Sequence, residues 1–570
     1  MDRIQLATVA LAGALFLLYL WTLPSAPREA SAPAPRPEAA AARPEPRSLA
    51  SELPAGMAGS GSAAPGVPLE RVPDLESERA GLQAARSWEI ENDVLRVSVG
   101  SLGGRLERVS LLEFEDRIGP GARPVELVST RGRGTLVSFL GDGALAGFET
   151  ANFSEVKRGR EFLELRAERD GIRVERRLSL DPSGYGARLR ISISNRGTGV
   201  VRPEFRVAMY AAERPPEAPD RFSEYSLLVS SRESVNRTAV SGLGSPSFFG
   251  KIMGQGTWKG DEYPDVEWVG VGSQYFLAAA VAENPNEARG FEGPIGKDAG
   301  VVLLGYPGFE VPAGRFVERS YRLYLGPKLE SQVAAVDPRL TESIDFGWSW
   351  IRPIVAFFAS LLVWIHSHVV SNYGLAIILL TIVLRLLTFP LSQKSMKSMQ
   401  RLGKIAPEMK QLQEKFKDDR EKLQAEMMSL YRKKGMNPLS AMGGGCIPML
   451  IQMPFLIALF FALRVSMDLR HAPFFGWIQD LSAPETLFSI GPIPVRVLPL
   501  LMGASMLLQQ RLSPSQGADP QQRQMMQWMS VMFIFLFYQF PSGLVLYWFT
   551  SNLLGILQQM WINREGRAEA

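Results

Sequence analysis

Five long apolar segments in the C-terminal third constrain the fold of this chain more than any other feature. They cover residues 373–391, 446–467, 493–510, 525–540 and 544–562. A helix of about 20 apolar residues spans the bilayer core, so this pattern predicts a polytopic α-helical membrane protein with a five-helix core. The shortest segment would cover only about 24 Å as a helix, which predicts local thinning of the bilayer around it. The alternative is that the helix extends a turn beyond these bounds.

A further apolar run, residues 4–23, follows Arg3 at the start of the chain. It is longer than the apolar part of most signal peptides, which favours a retained membrane anchor over 1–23. A cleaved signal peptide is the alternative, because the small residues Ser25 and Ala26 follow the run. Residues 24–86 are rich in Ala, Pro, Glu, Arg and Gly and predict a disordered tether.

From 87 to 326 the apolar period changes to two. Leu95, Val97 and Val99 alternate with Arg96 and Ser98, as half-buried strands require. Similar runs recur at 172–180, 189–193, 204–208, 275–281, 301–304 and 316–325. Scarce helical signals predict a large antiparallel β-sandwich. Because this region lacks histidine and cysteine, a scaffold or interaction role is favoured over catalysis.

The linker at 327–372 contains an aromatic stretch with polar ends. Trp350, Phe357 and Trp364 are typical of a helix lying in the membrane interface. His366 and His368 would point apart on such a helix, so interfacial anchoring is favoured over a metal pair. The single cysteine, Cys446, excludes a disulfide scaffold and a cysteine-ligated zinc site. We expect no metal, no cofactor and no catalytic residue.

The distribution of basic residues predicts the orientation in the membrane. Arg470 is the only lysine or arginine in the loop 468–492, whereas the loop 393–445 is strongly basic. Its basic residues are Lys394, Lys397, Arg401, Lys404, Lys410, Lys415, Lys417, Arg420, Lys422, Arg432, Lys433 and Lys434. Basic loops stay in the cytoplasm, so six spans, two cytoplasmic termini with a short tail at 563–570, and a periplasmic β-domain follow.

The basic loop itself has the pattern of a helical hairpin over 394–445. Two apolar stripes, separated by a charged break, are formed by Met409, Leu412 and Phe416 and by Leu423, Met427 and Leu430. Pro407 fits the first turn of one helix, and Asp419 fits the N-cap of the next. Such a hairpin could bind anionic lipid headgroups, ribosomal RNA or an incoming chain, or could only set the topology.

Arg385 stands inside the apolar segment 373–391. It lies nine residues, or about 13 Å along a helix, from Lys394, too far to snorkel comfortably to the cytoplasm. An intramembrane arginine costs at least about 2.5 kcal/mol, so it should face water or polar groups. None of the polar residues available at that depth is acidic: Thr381, Gln452, Gln509, Gln510, Thr550, Asn552 and Gln558. This favours a positively charged, water-filled cavity, and the alternative is an arginine bonded to backbone carbonyls between helices.

Several short motifs then carry a family resemblance. They are IQMP at 451–454, WIQDLS at 477–482 and FPSGLVLYW at 540–548, with Asn437-Pro438 and Asp519-Pro520. In these motifs, over about 346–562, the chain closely resembles the YidC insertase family. The order of anchor, β-domain, interfacial helix, five-span core and cytoplasmic hairpin is similar to the Gram-negative form.

The resemblance implies a membrane protein insertase and chaperone without enzymatic activity. Its hydrophilic groove would be open to the cytoplasm and to lipid, and would contain Arg385 with Thr381, Gln452, Gln509 and Asn552. Substrate segments would leave along an apolar face that includes Met449, Met453, Met532 and Phe533. Flexible methionine suits contacts with many different apolar sequences, although it is also common membrane filler.

The implied partners are nascent membrane proteins, the Sec translocon, the lipid bilayer and the ribosome, but not DNA. The short tail argues against strong ribosome binding through it.

Rival classes fit the residues less well. A transporter or scramblase would be expected to show inverted repeats or an acidic relay, and neither is evident. An intramembrane protease could use Ser505 or Ser551, but the five segments contain no histidine to act as its base. A sugar-binding or sugar-isomerising β-domain is the remaining enzymatic alternative.

Overall fold

The computed structural model describes most of the chain after residue 85. The described ranges are 86–129, 137–141, 143–211, 224–232, 234–240, 243, 260–295, 299–348, 350–417, 419–434, 447–491, 493–512 and 520–568. All the described residues belong to one compact unit, Arg86–Ala570. The predicted anchor at 1–23 and nearly all of the predicted tether at 24–86 therefore lie outside the described residues.

The first half of the described chain is built from strands. In chain order they are β1 Ser87–Glu91, β2 Leu95–Gly100, β3 Leu106–Glu115, β4 Pro124–Ser129, β5 Val137–Phe139, β6 Ser154–Arg158, β7 Phe162–Arg169, β8 Ile172–Leu180, β9 Gly186–Asn195, β10 Arg206–Ala211, β11 Ser226–Ser231, β12 Val235–Ala239, β13 Asp261–Pro264, β14 Val266–Gly272, β15 Phe276–Val281, β16 Arg289–Pro294, β17 Gly300–Gly305 and β18 Phe316–Pro327. A short pair, β19 Phe488–Ile490 and β20 Ile493–Val495, follows much later in the chain.

All the recorded strand pairs are antiparallel. A nine-stranded sheet has the order β12-β11-β14-β15-β18-β9-β8-β7-β6, a five-stranded sheet the order β13-β16-β17-β10-β5, and a four-stranded sheet the order β1-β2-β3-β4. Buried residues alternate with half-buried or exposed ones along β8, as the period-two pattern predicts. Tyr321 on β18 is fully buried, and its hydroxyl donates to the carbonyl of Phe205, 2.9 Å away, just before β10. The predicted antiparallel β-sandwich is confirmed.

The second half of the described chain is helical. Its helices are α1 Glu330–Val336, α2 Arg352–His368, α3 Tyr373–Lys415, α4 Arg420–Lys433, α5 Ile447–Val465, α6 Val497–Leu512, α7 Pro520–Phe537 and α8 Ser542–Ala568. By length and composition, one described segment is long and apolar enough to cross a membrane, Tyr373–Pro390, and Met453–Val465 is a shorter apolar helix. The buried residues of α2, α3, α5, α6 and α8 share one apolar core.

Two expectations about helix boundaries are wrong. Residues 493–495 form β20 and pair with β19, so the third segment becomes helical only at Val497. A short apolar run reads alike as strand or helix, which explains the error. Pro407 does not begin a new helix, because α3 continues through it and through Pro390. Proline suits a first turn because it lacks the amide that bonds to the carbonyl four residues earlier, but α3 accepts the loss of that bond in its interior.

The basic hairpin is formed by the end of α3 and by α4. Asp419 caps α4 as predicted, since its carboxylate accepts a hydrogen bond from the amide of Lys422 at 3.1 Å. The Tyr431 hydroxyl lies 3.7 Å from the Met409 sulfur. All six residues of the two predicted apolar stripes are half-buried.

The β-sandwich contacts the helical part directly. The Gln274 side chain donates to the carbonyl of Arg464 at 2.8 Å, and the Arg464 guanidinium lies 3.6 Å from the Asp345 carboxylate. Met467, just beyond α5, belongs to the apolar core of the sandwich. A small cavity lined in part by Gln274, Arg464 and Leu544 lies at this junction, apart from Arg385.

Asp337 lies in the linker just after the β-domain, between α1 and a following 3-10 helix, and ties this linker to β18. Its carboxylate is almost fully buried and contacts Arg322 at 2.6 Å and Arg339 at 2.8 Å. It also accepts from the amide of Arg339 at 3.1 Å. Burial alone would raise the pKa of Asp337, but the hydrogen bonds and charge of Arg339 outweigh it, and the pKa is lowered from its usual 3.8.

Asp337→Ala should destabilise the β-domain by about 2 kcal/mol, because it leaves two partly exposed arginines without their carboxylate. Hydrogen exchange of peptides from β18 in the full chain would measure this. Because the pKa of Asp337 is lower in the folded protein than in the unfolded chain, its ionised carboxylate stabilises the fold at pH values above the unfolded pKa. That contribution is lost as the pH falls through the pKa of the folded protein. The difference in stability between the parent protein and Asp337→Asn should therefore become smaller below about pH 3.8. A difference that does not change with pH would contradict the ionic role.

Candidate functional site

Arg385 bridges two helices in the helical part. From α3, its Nε donates to the hydroxyl of Ser551 on α8 at 3.1 Å, and its Nη2 donates to the carbonyl of Ser551 at 2.5 Å. Both recorded partners are neutral. Among the residues that the structure describes, no ion pair joins Arg385 to a carboxylate. The bond to the Ser551 carbonyl is the arrangement that the sequence left open as the alternative, an arginine bonded to a backbone carbonyl between helices. It leaves the guanidinium charge without a carboxylate among the described residues.

Gly555 allows three helices to approach at this point. It lies one turn after Ser551 on α8, and a Cβ placed there would stand 2.9 Å from the Gln509 amide nitrogen and 3.2 Å from Arg385 Nη2. Any larger residue would push these two side chains apart. We refer to Arg385, Gln509, Ser551 and Gly555 as the Arg385 cluster; it joins α3, α6 and α8.

Polar contacts continue along the same helices on either side of the Arg385 cluster. The Asn552 amide donates to the Ser505 hydroxyl at 3.1 Å, which links α8 to α6. Towards the C-terminal end of α8, the Gln558 amide donates to the Ser392 hydroxyl on α3 at 2.9 Å. Polar side chains thus follow one another along α8, beyond the residues Leu544–Tyr547 that it contributes to the apolar core of the helices.

The structure gives contacts for some of the other predicted groove residues but not for all of them. Thr381 lies one turn before Arg385 and is buried, and its hydroxyl donates to the carbonyl of Ile377 in its own helix at 2.6 Å. Gln452 is part of α5, but its side chain lies outside the described part of the structure, as does that of Met449. The structure therefore brings together Arg385 and Gln509, with Asn552 close by on α8.

The predicted apolar face is divided in the structure. Met532 on α7 is exposed, and Met453 on α5 is half-buried. Phe533 instead packs inward, with its ring 5.9 Å from that of Phe537 and 6.2 Å from that of Trp548. The Met532 side chain is therefore accessible from outside the helices, whereas Phe533 packs between α7 and α8.

Sequence reasoning missed Ser551 and Gly555 as members of the cluster. The sequence suggests Ser551 only as a protease nucleophile, although it lies in the polar run Thr550-Ser551-Asn552 within an apolar segment. That run is the signal that could have identified it. Gly555 follows four residues later, so both residues lie on one face of α8.

Two family descriptions match this chain. "60Kd inner membrane protein" matches residues 364–569, and "YidC periplasmic domain" matches residues 87–365. Together they cover nearly all of the described structure.

Curated relatives match over most of their length. "Membrane protein insertase YidC" of Syntrophus aciditrophicus is 30% identical over 99% of this chain and 100% of its own length. The protein of the same name from Nitrosococcus oceani is 33% identical over 90% of this chain and 92% of its own length. A solved structure described as an active YidC insertase with the first transmembrane domain resolved is 16% identical and covers 85% of this chain and 96% of its own, with a TM-score of 0.34.

Proposed function

The chain belongs to the YidC family of membrane protein insertases, and we propose that it inserts its substrates through a hydrophilic groove built around the Arg385 cluster. It is an inner-membrane insertase with a periplasmic domain, and its substrates are nascent membrane proteins. In the proposed mechanism the cluster binds polar or acidic parts of a substrate while the apolar segment enters lipid. No bond is made or broken, so no residue acts as a nucleophile or base.

One observation carries this proposal: the only recorded partners of Arg385 in the described structure are atoms of the neutral Ser551. A charge without a counter-ion in a low-dielectric site attracts an opposite charge strongly. An acidic residue in the short outer tail of a substrate would gain that attraction during its passage. The cost of bringing the acidic residue into the membrane would fall accordingly.

The proposed topology has six spans, with both termini in the cytoplasm and the β-domain in the periplasm. The basic residues of the α3–α4 hairpin support this orientation. The domain boundaries proposed from the sequence are retained: an anchor at 1–23, a tether at 24–86, a β-domain at 87–326, a linker at 327–372 and the core at 373–562 with its hairpin at 394–445.

The proposed route out of the groove passes the apolar face that includes Met449, Met453 and Met532. Exposure of Met532 supports that route, and the inward packing of Phe533 suggests that Phe533 shapes it from behind. The Sec translocon and the ribosome are proposed partners for larger substrates, with the basic hairpin as the first cytoplasmic contact. The apolar stripes of this hairpin are half-buried, so the residues that it exposes in the described structure are mainly charged.

Site-specific photocrosslinking to stalled nascent chains tests the proposal. A photoreactive residue replacing Gln509 or Met532 should crosslink to an inserting segment. The matched control is Leu387, two residues beyond Arg385 but on the outside of α3, where it is 70% exposed. Equal crosslinking from all three positions would contradict a groove and would indicate that substrates move along the lipid-facing surface.

A further inference from the structure

A short β-hairpin at the outer end of the helices presents apolar side chains that nothing in the described structure covers. It consists of β19 and β20, which pair from Phe488 with Val495 to Ile490 with Ile493. We call it the outer hairpin. Leu487, Phe488 and Ile490 are 46%, 52% and 65% exposed. An isolated two-stranded hairpin is marginally stable in water, and one with exposed Phe and Ile is unfavourable there.

The base of the outer hairpin is firmly attached to the helices. The Tyr538 hydroxyl, from the connection between α7 and α8, donates to the carbonyl of Pro494. The Arg496 guanidinium donates to the carbonyl of Tyr538 and lies 5.1 Å from the centre of the Tyr538 ring. The hairpin is thus held in place at one end of the helix bundle, with its apolar residues pointing away from the protein.

The hairpin also continues into the lipid-facing side of a proposed span. Helix α6 begins at Val497, two residues after β20. Leu500 and Leu501, one turn into α6, are exposed like the hairpin residues. Three-residue strands extend about 10 Å, so the hairpin tip stays within the thickness of the headgroup region and the first part of the acyl chains.

Other exposed aromatic residues lie in the same part of the chain. Phe475 is in the same outer loop, and its neighbour Phe474 packs on Gly374 at the start of α3. Much earlier in the chain, Trp350 just before α2 and Trp364 within α2 are also exposed. Aromatic residues of this kind concentrate where the protein meets the interface between bilayer and water.

From these observations we infer that the outer hairpin is a lipid anchor: it inserts Leu487, Phe488 and Ile490 into the outer leaflet, at the boundary between headgroups and acyl chains. The inference rests on the proposed topology, which places this loop on the periplasmic side. The bound surface is a lipid bilayer without headgroup selectivity, because 486–491 contains no charged residue. The anchor would fix the depth of α6, and with it the depth of Gln509 in the Arg385 cluster.

Depth-dependent quenching of a fluorescent label tests this inference. The full-length protein with Cys446→Ser and Ile490→Cys would carry an environment-sensitive fluorophore at position 490 and be reconstituted in liposomes. Nitroxide lipids labelled near the headgroup or in the upper acyl chain should reduce its emission by about twofold or more, and lipids labelled at the acyl terminus by less.

The matched control is Phe316→Cys in the same background. Phe316 is also an exposed aromatic, at 72%, but it begins the twelve-residue strand β18. The far end of that strand leads to the helices, about 36 Å away. A label at position 316 should show no quenching by any of the nitroxide lipids.

A label at position 490 that no nitroxide lipid quenches would overturn the inference. This holds whether its emission wavelength indicates exposure to water or coverage by protein. Substrate insertion is measured in the same liposomes with the unlabelled double variant. If insertion proceeds while position 490 is unquenched, the lipid anchor fails and the proposed function stands. If position 490 is quenched while insertion is absent in the parent protein as well, the proposed function fails and the anchor stands.

Discussion

Replacing Arg385 by leucine should lower insertion of a substrate with an acidic outer tail and a weakly hydrophobic segment by at least about tenfold, or 1.4 kcal/mol. The expectation follows from a cation that is held by Ser551 and that pairs with no carboxylate in the described part of the chain. At 4 Å and an effective dielectric of 20, two unit charges attract by about 4 kcal/mol, so losing even part of this is measurable. Strongly apolar segments should be affected less, because transfer into lipid already favours them by about 25 cal/mol for each Å² of apolar surface.

Two further variants separate charge from structure. Arg385→Lys keeps the charge and should retain insertion within about threefold, since a shorter cation still produces the field. Arg385→Gln keeps a donor for the Ser551 carbonyl but loses the charge, so it should behave like Arg385→Leu. If Arg385 only braces α3 against α8, the order reverses, and glutamine rescues while lysine does not.

The measurement uses purified variants in liposomes and two substrates that differ by one aspartate-to-asparagine change in the translocated tail. The parent protein should favour the aspartate substrate, and Arg385→Leu should remove that preference. Equal defects for both substrates would refute the charge mechanism. Ser551→Ala is a useful companion, because it removes one hydrogen bond and leaves the charge; its defect should not depend on the aspartate.

The sequence predicts regular elements well where a single period persists. Strand β8 lies where alternation placed it, at Ile172–Leu180, because a half-buried strand must alternate and no helix can. Arg385 also stands out in its segment from the sequence alone, since a charge within an apolar run is costly wherever it occurs, and its role in a groove remains a proposal.

Contacts between distant segments could not be predicted in the same way. The bond from Arg385 to Ser551 joins residues 166 positions apart, and the choice of Ser551 over Thr550 or Asn552 depends on how α8 is rotated against α3. The sequence predicts the second strand of the outer hairpin as the start of a helix for a related reason. Both strands of the hairpin are too short to show an apolar period. Helix rotation and short-strand pairing are both set by tertiary packing.

Two of the motifs that carry the family resemblance meet at the end of the helices that carries the outer hairpin. The Ser542 hydroxyl, in the FPSGLVLYW motif, donates to the carbonyl of Asp480 in the WIQDLS motif at 2.6 Å. Gly543 lies so close to the Leu481 carbonyl that an added Cβ would stand 3.0 Å from it. The motifs are therefore informative about the fold of the outer end, whereas the Arg385 cluster lies elsewhere along the same helices.

Glu485→Ala should destabilise the protein by about 3 kcal/mol, more than Asp337→Ala, because it leaves buried donors unpaired. The Glu485 side chain is buried and accepts two hydrogen bonds, from the Trp477 indole nitrogen at 2.8 Å and from the Leu498 amide at 2.6 Å. Leu498 lies in the first turn of α6, where amides lack partners within the helix and a carboxylate also favours the helix dipole. Each donor that loses the carboxylate costs about 1–3 kcal/mol.

Trp477→Phe provides the matched comparison, because it removes one donor and leaves Glu485 bonded to Leu498. It should cost about 1 kcal/mol for the lost hydrogen bond. The double variant should be less destabilised than the sum of the two single variants, since both act on the same bond. Thermal unfolding of the purified full chain, followed by hydrogen exchange of peptides from 497–512, would measure each effect. Of the two single variants, only Glu485→Ala should show faster hydrogen exchange of the backbone amides in the first turn of α6. Equal protection in both single variants would show that another group caps α6 and that Glu485 contributes only its contact with Trp477.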